Sequence, residues 1–374
     1  MMAEILFWVC AGIIFYVYVG YYLLVTLIAL ISPRPVRKAP IEPSVSILVA
    51  AFNEAHVIEA KIRNALALDY PADRLEIVIA SDGSTDGTSE LAARFTGDPR
   101  VRVLNYPVNR GKLAVLNDTV PRLHGEIVVF SDAAAMLDPS ALRSLIANFA
   151  DPEVGAVSGL YGVVNHDSVQ IGAQEDFYWK YETFLKQQEA AIGSILGAHG
   201  ALYAVRKELY PFPALGTIND DFVIPIRIVG RGYRVAYEPS AVALEEAHEM
   251  GGFSRRARIM AGNFEQLREL KELLRPPRWL VLFTFLSHKG GRLVVPLCMV
   301  GMAAANLALL GKMFYAWLGA FHGAFYVAAV LGGFVKLRPK LLRLPYYFCM
   351  LNAAVFAGIY YATLGRRHMA WKRK

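Results

Sequence analysis

Carboxylates stand at three separated turns of this sequence: Ser81-Asp82-Gly83-Ser84, Ser131-Asp132-Ala133-Ala134 and Asn219-Asp220-Asp221-Phe222. Two basic motifs accompany them, Asn109-Arg110-Gly111-Lys112 and Ser254-Arg255-Arg256-Ala257-Arg258-Ile259. An ionised carboxylate only accepts hydrogen bonds, and its hard oxygens suit divalent cations. Two adjacent carboxylates removed from water raise the pKa of one of them, which favours proton acceptance near neutrality at Asp220-Asp221. A lysine at the start of a helix, as Lys112 would be, is well placed for a phosphate. The planar guanidinium of Arg258 can pair with another anion. Each motif also has a plainer reading: Asp-Asp as a turn or cap, Lys112 as a solvated loop residue, and 255–258 as a basic stretch at a membrane surface.

The elements that must position these side chains alternate. Residues 45–50, 75–80, 101–104 and 127–130 are apolar runs of strand length, separated by helical patterns over 55–68, 85–95 and 112–123. Such alternation predicts a mainly parallel sheet covered on both faces. Asp82 and Asp132 then fall at the C-terminal ends of strands, where open α/β sheets bind nucleotides. Farther on, residues 154–159, 201–205 and 235–238 are strand-like and 170–193 helical. Residues 260–274 have an amphipathic helical pattern, ended by Arg275-Pro276-Pro277.

The ends of the chain are greasy. Of 374 residues, 55% are hydrophobic and 19% charged, more apolar than an ordinary soluble protein. Residues 5–31 carry no charge and exceed the roughly 20 residues a bilayer requires. A basic, Pro-rich linker over 33–43 follows, in place of a cleavage site, so an uncleaved anchor is expected. Residues 280–286 are too short to span and read as interfacial, while 293–310 and 313–334 read as spans. For 344–364, a third span would put the basic tail 366–374 on the wrong side, so either this segment is re-entrant or interfacial or the upstream apolar segment inserts more deeply. The net charge of +7 collects beside these segments, at 34–38, 336–343 and 366–374, as lipid-facing and topology-setting charge does. Nucleic-acid binding is not expected. Cys10, Cys298 and Cys349 fall in apolar stretches with no metal or disulfide spacing.

In their order these motifs resemble the membrane-embedded family 2 glycosyltransferases of GT-A fold, the group of cellulose, chitin, hyaluronan and poly-N-acetylglucosamine synthases. The resemblance covers about residues 44–296. It implies an α/β, Rossmann-like, mostly parallel catalytic domain with flanking transmembrane helices. Ala51-Phe52-Asn53-Glu54 is similar to the family's nucleotide loop, which assigns Asn53 and Glu54 to the donor. Ser81-Asp82-Gly83-Ser84-Thr85-Asp86-Gly87-Thr88 is similar to its Asp-Asp-Gly-Ser motif with Ser81 replacing the first Asp; Asp82 would accept from a uracil imide and Asp86 is structural. Lys112 is similar to the Gly-Lys turn facing the diphosphate. Asp132 takes the first place of an Asp-x-Asp, where it would hold Mg²⁺ or Mn²⁺ or the ribose, although Ala134 has replaced the second acid. Asp221, with Asp220 beside it, matches the general base. Arg258 matches the arginine of Gln-x-x-Arg-Trp, with Arg255 and Ile259 in place of Gln and Trp.

The expected organisation is an anchor at 1–32, a linker at 33–43, the GT-A domain at 44–259, interfacial helices at 260–291, a transmembrane region at 292–365 and a basic tail at 366–374. The expected function is inverting transfer from a nucleotide sugar, UDP-linked, to a growing polysaccharide, with membrane lipids as surroundings. The plasma (inner) membrane would hold it, catalytic domain in the cytoplasm. Single-sugar transfer to a lipid-linked acceptor, or a donor-binding subunit without catalysis, are the alternatives.

Overall fold

The computed structural model describes residues 1–164, 172–246, 253–267, 270–274, 278–334 and 344–363. The break at 275–277, the basic stretches 336–343 and 366–374, and the side chain of Arg255 lie outside the described residues.

Among the described residues, eight strands form one mixed sheet: β1 (Val45–Ala51), β2 (Leu75–Asp82), β3 (Val101–Tyr106), β4 (Ile127–Ser131), β5 (Met136–Leu137), β6 (Val154–Val164), β7 (Leu202–Arg206) and β8 (Arg234–Glu246). Their order is β3-β2-β1-β4-β7-β6-β8-β5. β3, β2, β1 and β4 run parallel. β7 is antiparallel to both its neighbours, β4 and β6. The chain winds outward from β1 to β3, then returns to the other side of β1 as β4. That reversal opens a crevice beyond the ends of β1 and β4, the place where such sheets take ligands.

The central strands are apolar because both faces are covered. Ile47, Ile77, Ile79 and Val129 pack on one side; Leu48, Val78, Val128 and Phe130 pack on the other. Side chains of one strand alternate between the two faces, so both cores come from the same short runs.

Among the described residues, three helices are long and apolar enough to cross a membrane: Met2–Ile31, Trp279–Ala308 and Met313–Phe334. The second differs from the expectation of an interfacial segment at 280–286 followed by a separate span. Here 279–308 is one continuous helix that passes through a π-helical turn, Phe285–Gly290. The charged residues in and beside this turn are paired. Glu182, on the helix Gly172–Ile192, lies 2.8 Å from the Arg292 guanidinium and 3.2 Å from His288. Glu189, one helical stretch further, lies 2.7 Å from His288 and accepts from the Tyr21 hydroxyl at 2.8 Å. Polar groups at membrane depth persist when they face protein and find partners. This cluster fastens the first and second apolar helices to the globular domain.

The helix Leu344–Thr363 packs along the amphipathic helix Phe253–Gln266. A Cβ on Gly358 would lie 2.7 Å from Met260 Cβ and 2.8 Å from the Ala261 nitrogen. The two backbones meet there because glycine leaves room.

Candidate active site

The turns after β1, β2 and β4 converge on one edge of the sheet. Asn53 has a φ of 55°, a region asparagine tolerates. Its Oδ1 accepts from the Thr85 N–H at 2.8 Å, and its own N–H donates to Ser84 Oγ at 3.1 Å. Glu54 is buried, and its N–H donates to Thr88 Oγ1 at 2.9 Å. Asp86 accepts from the N–H groups of Ala55 at 3.0 Å and Thr88 at 3.1 Å, which stitches the first two turns together.

Asp82 is sealed from solvent. Its Oδ1 accepts from the Arg110 N–H at 2.9 Å and its Oδ2 from the Gly111 N–H at 2.8 Å. Both oxygens hold the turn that delivers Lys112, and each retains a second lone pair able to accept another hydrogen bond.

Lys112 opens the helix Lys112–Thr119. Its Nζ donates to Asp132 Oδ1 at 2.9 Å and stands 3.7 Å from Asp220 Oδ2. Burial opposes the lysine's charge, but the carboxylates of Asp132, then Asp220 and Asp221, hold its pKa well above the ordinary value. Of the pair around it, Asp132 faces the cleft with 45% of its side chain exposed and Asp220 only 14%.

Asp220 and Asp221 begin the helix Asp220–Gly230. A Cβ on Gly200 would lie 3.6 Å from Asp221 Oδ2 and 3.7 Å from Asp132 Oδ2, so both carboxylates flank one glycine. Burial, then the charge of Asp220, push the Asp221 carboxyl up to about 6. The backbone carbonyl of Asp221 accepts from the Ala198 N–H at 2.8 Å. That contact fixes the Ala198-His199-Gly200 segment beside it. His199 is buried, its N–H donates to Ser158 Oγ at 3.0 Å, and burial holds its ring well below the ordinary pKa. Arg258 is half-buried on the helix Phe253–Gln266. The next residue, Ile259, gives its carbonyl to Asn219 Nδ2 at 3.4 Å, which sets that helix against the Asp220-Asp221 turn.

Two lysines escape a reading of motifs. Lys61 is fully buried and donates to Ser131 Oγ at 2.7 Å and to the Ala135 carbonyl. It ties down the turn bearing Asp132, and burial, against the pull of Asp132, lowers its pKa to about 7. Lys186 is buried and donates to the Gly197 carbonyl at 2.8 Å. Burial, then Lys289, lower it to about 8. Each occupies a helix as a surface lysine would, and only the tertiary packing reveals its partner.

Among the described residues, no group of three or more His, Cys, Asp or Glu side chains is placed to hold a metal ion. Asp132 offers a carboxylate and Ala134 none. These residues fit a divalent cation shared with a bound diphosphate, since Mg²⁺ commonly takes one or two carboxylates and completes its shell with phosphate and water.

Residues 46–210 match the family described as Glycosyl transferase family 2. The poly-beta-1,6-N-acetyl-D-glucosamine synthase of Staphylococcus aureus (strain COL) is 29% identical over 229 residues, 60% of this chain and 55% of the relative. Its counterpart in Staphylococcus epidermidis is 28% identical over 229 residues, with the same shares covered. The match thus spans 55% of the length of these curated relatives. Among solved structures, the mannosyltransferase PcManGT from Pyrobaculum calidifontis, in complex with GDP-Man and Mn²⁺, superposes with a TM-score of 0.76 at 25% identity. It covers 97% of this chain and 99% of its own. Residues 46–210 thus match a family 2 glycosyltransferase domain, on a fold shared with a solved mannosyltransferase.

Proposed function

We propose that the protein is an inverting glycosyltransferase that moves a sugar from a nucleoside-diphosphate sugar to a hydroxyl of a growing polysaccharide at the membrane surface. The observation that carries this reading is the Asp221 carboxyl, buried, raised to about 6 and flanking the same glycine as Asp132. A base poised near neutrality, beside a lysine that can face phosphate, is what the reaction needs.

In that reaction the acceptor oxygen attacks the anomeric carbon from the face opposite the diphosphate. The new C–O bond forms as the bond to phosphate breaks, the acceptor proton passes to Asp221, and the nucleoside diphosphate leaves with the bonding electrons. Lys112 meets the charge that develops on the leaving group, and Arg258 adds a second cation from the amphipathic helix. Asn53 and Glu54 shape the nucleotide side, and Asp82 holds the turn of Lys112. Asp132 would hold a divalent cation together with the diphosphate, which would further neutralise the leaving group.

If all three candidate helices cross, residues 34–38 and the globular domain would share one side of the membrane. By the positive-inside rule that side would be the cytoplasm. The Leu344–Thr363 helix then stays on or within the inner leaflet, which removes the conflict that a fourth crossing would create.

A lipid-linked acceptor is the second reading, favoured by an open apolar groove of about 510 Å³ between the apolar helices. Pro296, Met299, Leu307, Tyr326 and Phe356 are among its lining residues. Purified protein in nanodiscs, given radiolabelled UDP- and GDP-sugars with and without Mn²⁺, tests both readings. Label in a high-molecular-weight product supports the polysaccharide, and label in a solvent-extractable product supports the lipid. Donor binding without turnover of any donor would sink the enzyme reading and leave a donor-binding subunit.

A further inference from the structure

Asparagine at the position before a helix ordinarily accepts a hydrogen bond from the second or third backbone N–H of that helix, a contact worth about 1 kcal/mol. Asn219 stands at this position for the helix Asp220–Gly230 and makes no such side-chain cap. Its side chain is directed instead to another helix. Nδ2 donates to the Ile259 carbonyl at 3.4 Å and to Asn263 Oδ1 at 3.2 Å, both on Phe253–Gln266. The seat it occupies exists because residue 262 is glycine: a Cβ there would lie 2.5 Å from Asn219 Nδ2 and 2.6 Å from its Cγ.

The same amphipathic helix is held from another direction. At Gly358, the helix Leu344–Thr363 approaches Met260 and Ala261 to backbone contact. The Arg256 guanidinium lies 6.0 Å from the Tyr347 ring. Leu344–Thr363 in turn packs on the apolar helices, with the Phe348 ring 5.3 Å from that of Tyr18 and 6.0 Å from that of Phe325. A chain of close contacts therefore runs from the apolar helices through Gly358, Ala261, Gly262 and Asn219 to the turn bearing Asp220 and Asp221.

We propose that Asn219 is a positioning residue that clamps the Asp220-Asp221 turn to the Phe253–Gln266 helix, and that Gly358 sets where the clamp stands. The membrane-associated helix Leu344–Thr363 thereby fixes the place of the carboxylate that receives the acceptor proton. Asn219 touches neither substrate nor reacting atoms. This inference rests on the reading of Asp221 as the base.

The test uses the full chain in nanodiscs, with Asn219→Ala, Gly358→Leu, the milder Gly358→Ala, and the double variant Asn219→Ala/Gly358→Leu. Each single variant is expected to lose tenfold or more in kcat, with donor Kd within twofold of the parent. Gly358→Ala is expected to lose less than Gly358→Leu, which keeps the test readable if the larger residue unfolds the protein. Because both contacts serve one clamp, the double variant should fall within threefold of the worse single. Losses that multiply, or a loss confined to donor Kd, would overturn the clamp. Asp221→Asn is run beside them: full turnover there overturns the base assignment itself, separately from how Asn219 and Gly358 couple.

Discussion

Asp220 directly precedes Asp221 in the first turn of one helix, and after burial its charge is the strongest cause holding the Asp221 carboxyl up at about 6. The base form of Asp221 is the ionised one, so activity is lost as pH falls through that value. For the parent, log kcat/KM should decline with a slope of one below about pH 6. Asp220→Asn removes a charge that raises this pKa, and the acid limb should move to lower pH. Asp221→Asn should lower kcat by about 10²–10⁴-fold, the usual worth of a general base, with donor binding retained. An acid limb unmoved in Asp220→Asn would mean that another group titrates.

Lys112 is expected to act on the donor. Its Nζ already sits between Asp132 and Asp220, ready to be shared with a diphosphate oxygen. Lys112→Met should weaken donor binding by tenfold or more, about 1.4 kcal/mol, by isothermal titration. Binding of the free nucleoside should hardly change, because the diphosphate is the lysine's partner. Equal losses for donor and nucleoside would place Lys112 elsewhere.

The strands bearing Asp82 and Asp132 were legible because a sheet covered on both faces demands uninterrupted apolar runs, and such runs occur at 75–80 and 127–130. The helix Asp220–Gly230 was not, since Pro225 lies inside it and proline argues against a helical interior. The span Trp279–Ala308 was divided because His288, Lys289 and Arg292 interrupt its apolar pattern. Their partners Glu182 and Glu189 lie about a hundred residues away in the chain. The site shows the same division. Residue type and order pointed to Asp132, Asp220, Asp221 and Lys112, which the fold brings together. Both oxygens of Asp82 also accept from backbone N–H groups of the Lys112 turn, and no local pattern announces that.

Gly83 tests the turn that Asp82 anchors. Its φ is +67°, and a Cβ would lie 2.4 Å from the Asn109 nitrogen and 2.7 Å from the Val108 carbonyl carbon. The left-handed backbone alone costs an L-residue about 1–2 kcal/mol, and the backbone clash adds to it. Gly83→Ala should lower the thermal midpoint, and by shifting residues 108–112 it should also weaken donor binding. Gly87→Ala shares the positive φ, at +92°, but meets nothing within 4 Å. It should show the smaller loss of the two, and the reverse order would refute the packing seen at Gly83.

Glu182 joins the globular domain to the second apolar helix. Burial works against its charge, but Arg292, then His288 and Lys289, hold its pKa well below the ordinary 4.5. A carboxylate depressed in this way stabilises the fold fully above the unfolded value and loses that contribution as pH falls through the folded one. The thermal midpoint of the detergent-solubilised protein, followed by tryptophan fluorescence, should therefore respond to this group only below about 4.5. Glu182→Gln leaves Arg292 and Lys289 without their shared counter-charge, while His288 keeps Glu189 at 2.7 Å. Breaking a buried pair in this way costs about 3–5 kcal/mol, so the midpoint should drop markedly at neutral pH. The variant's midpoint should also depend less on pH in the acid range than the parent's. A Glu182→Gln protein as stable as the parent at pH 7 would show that the helix Gly172–Ile192 and the apolar helix are held together by packing alone.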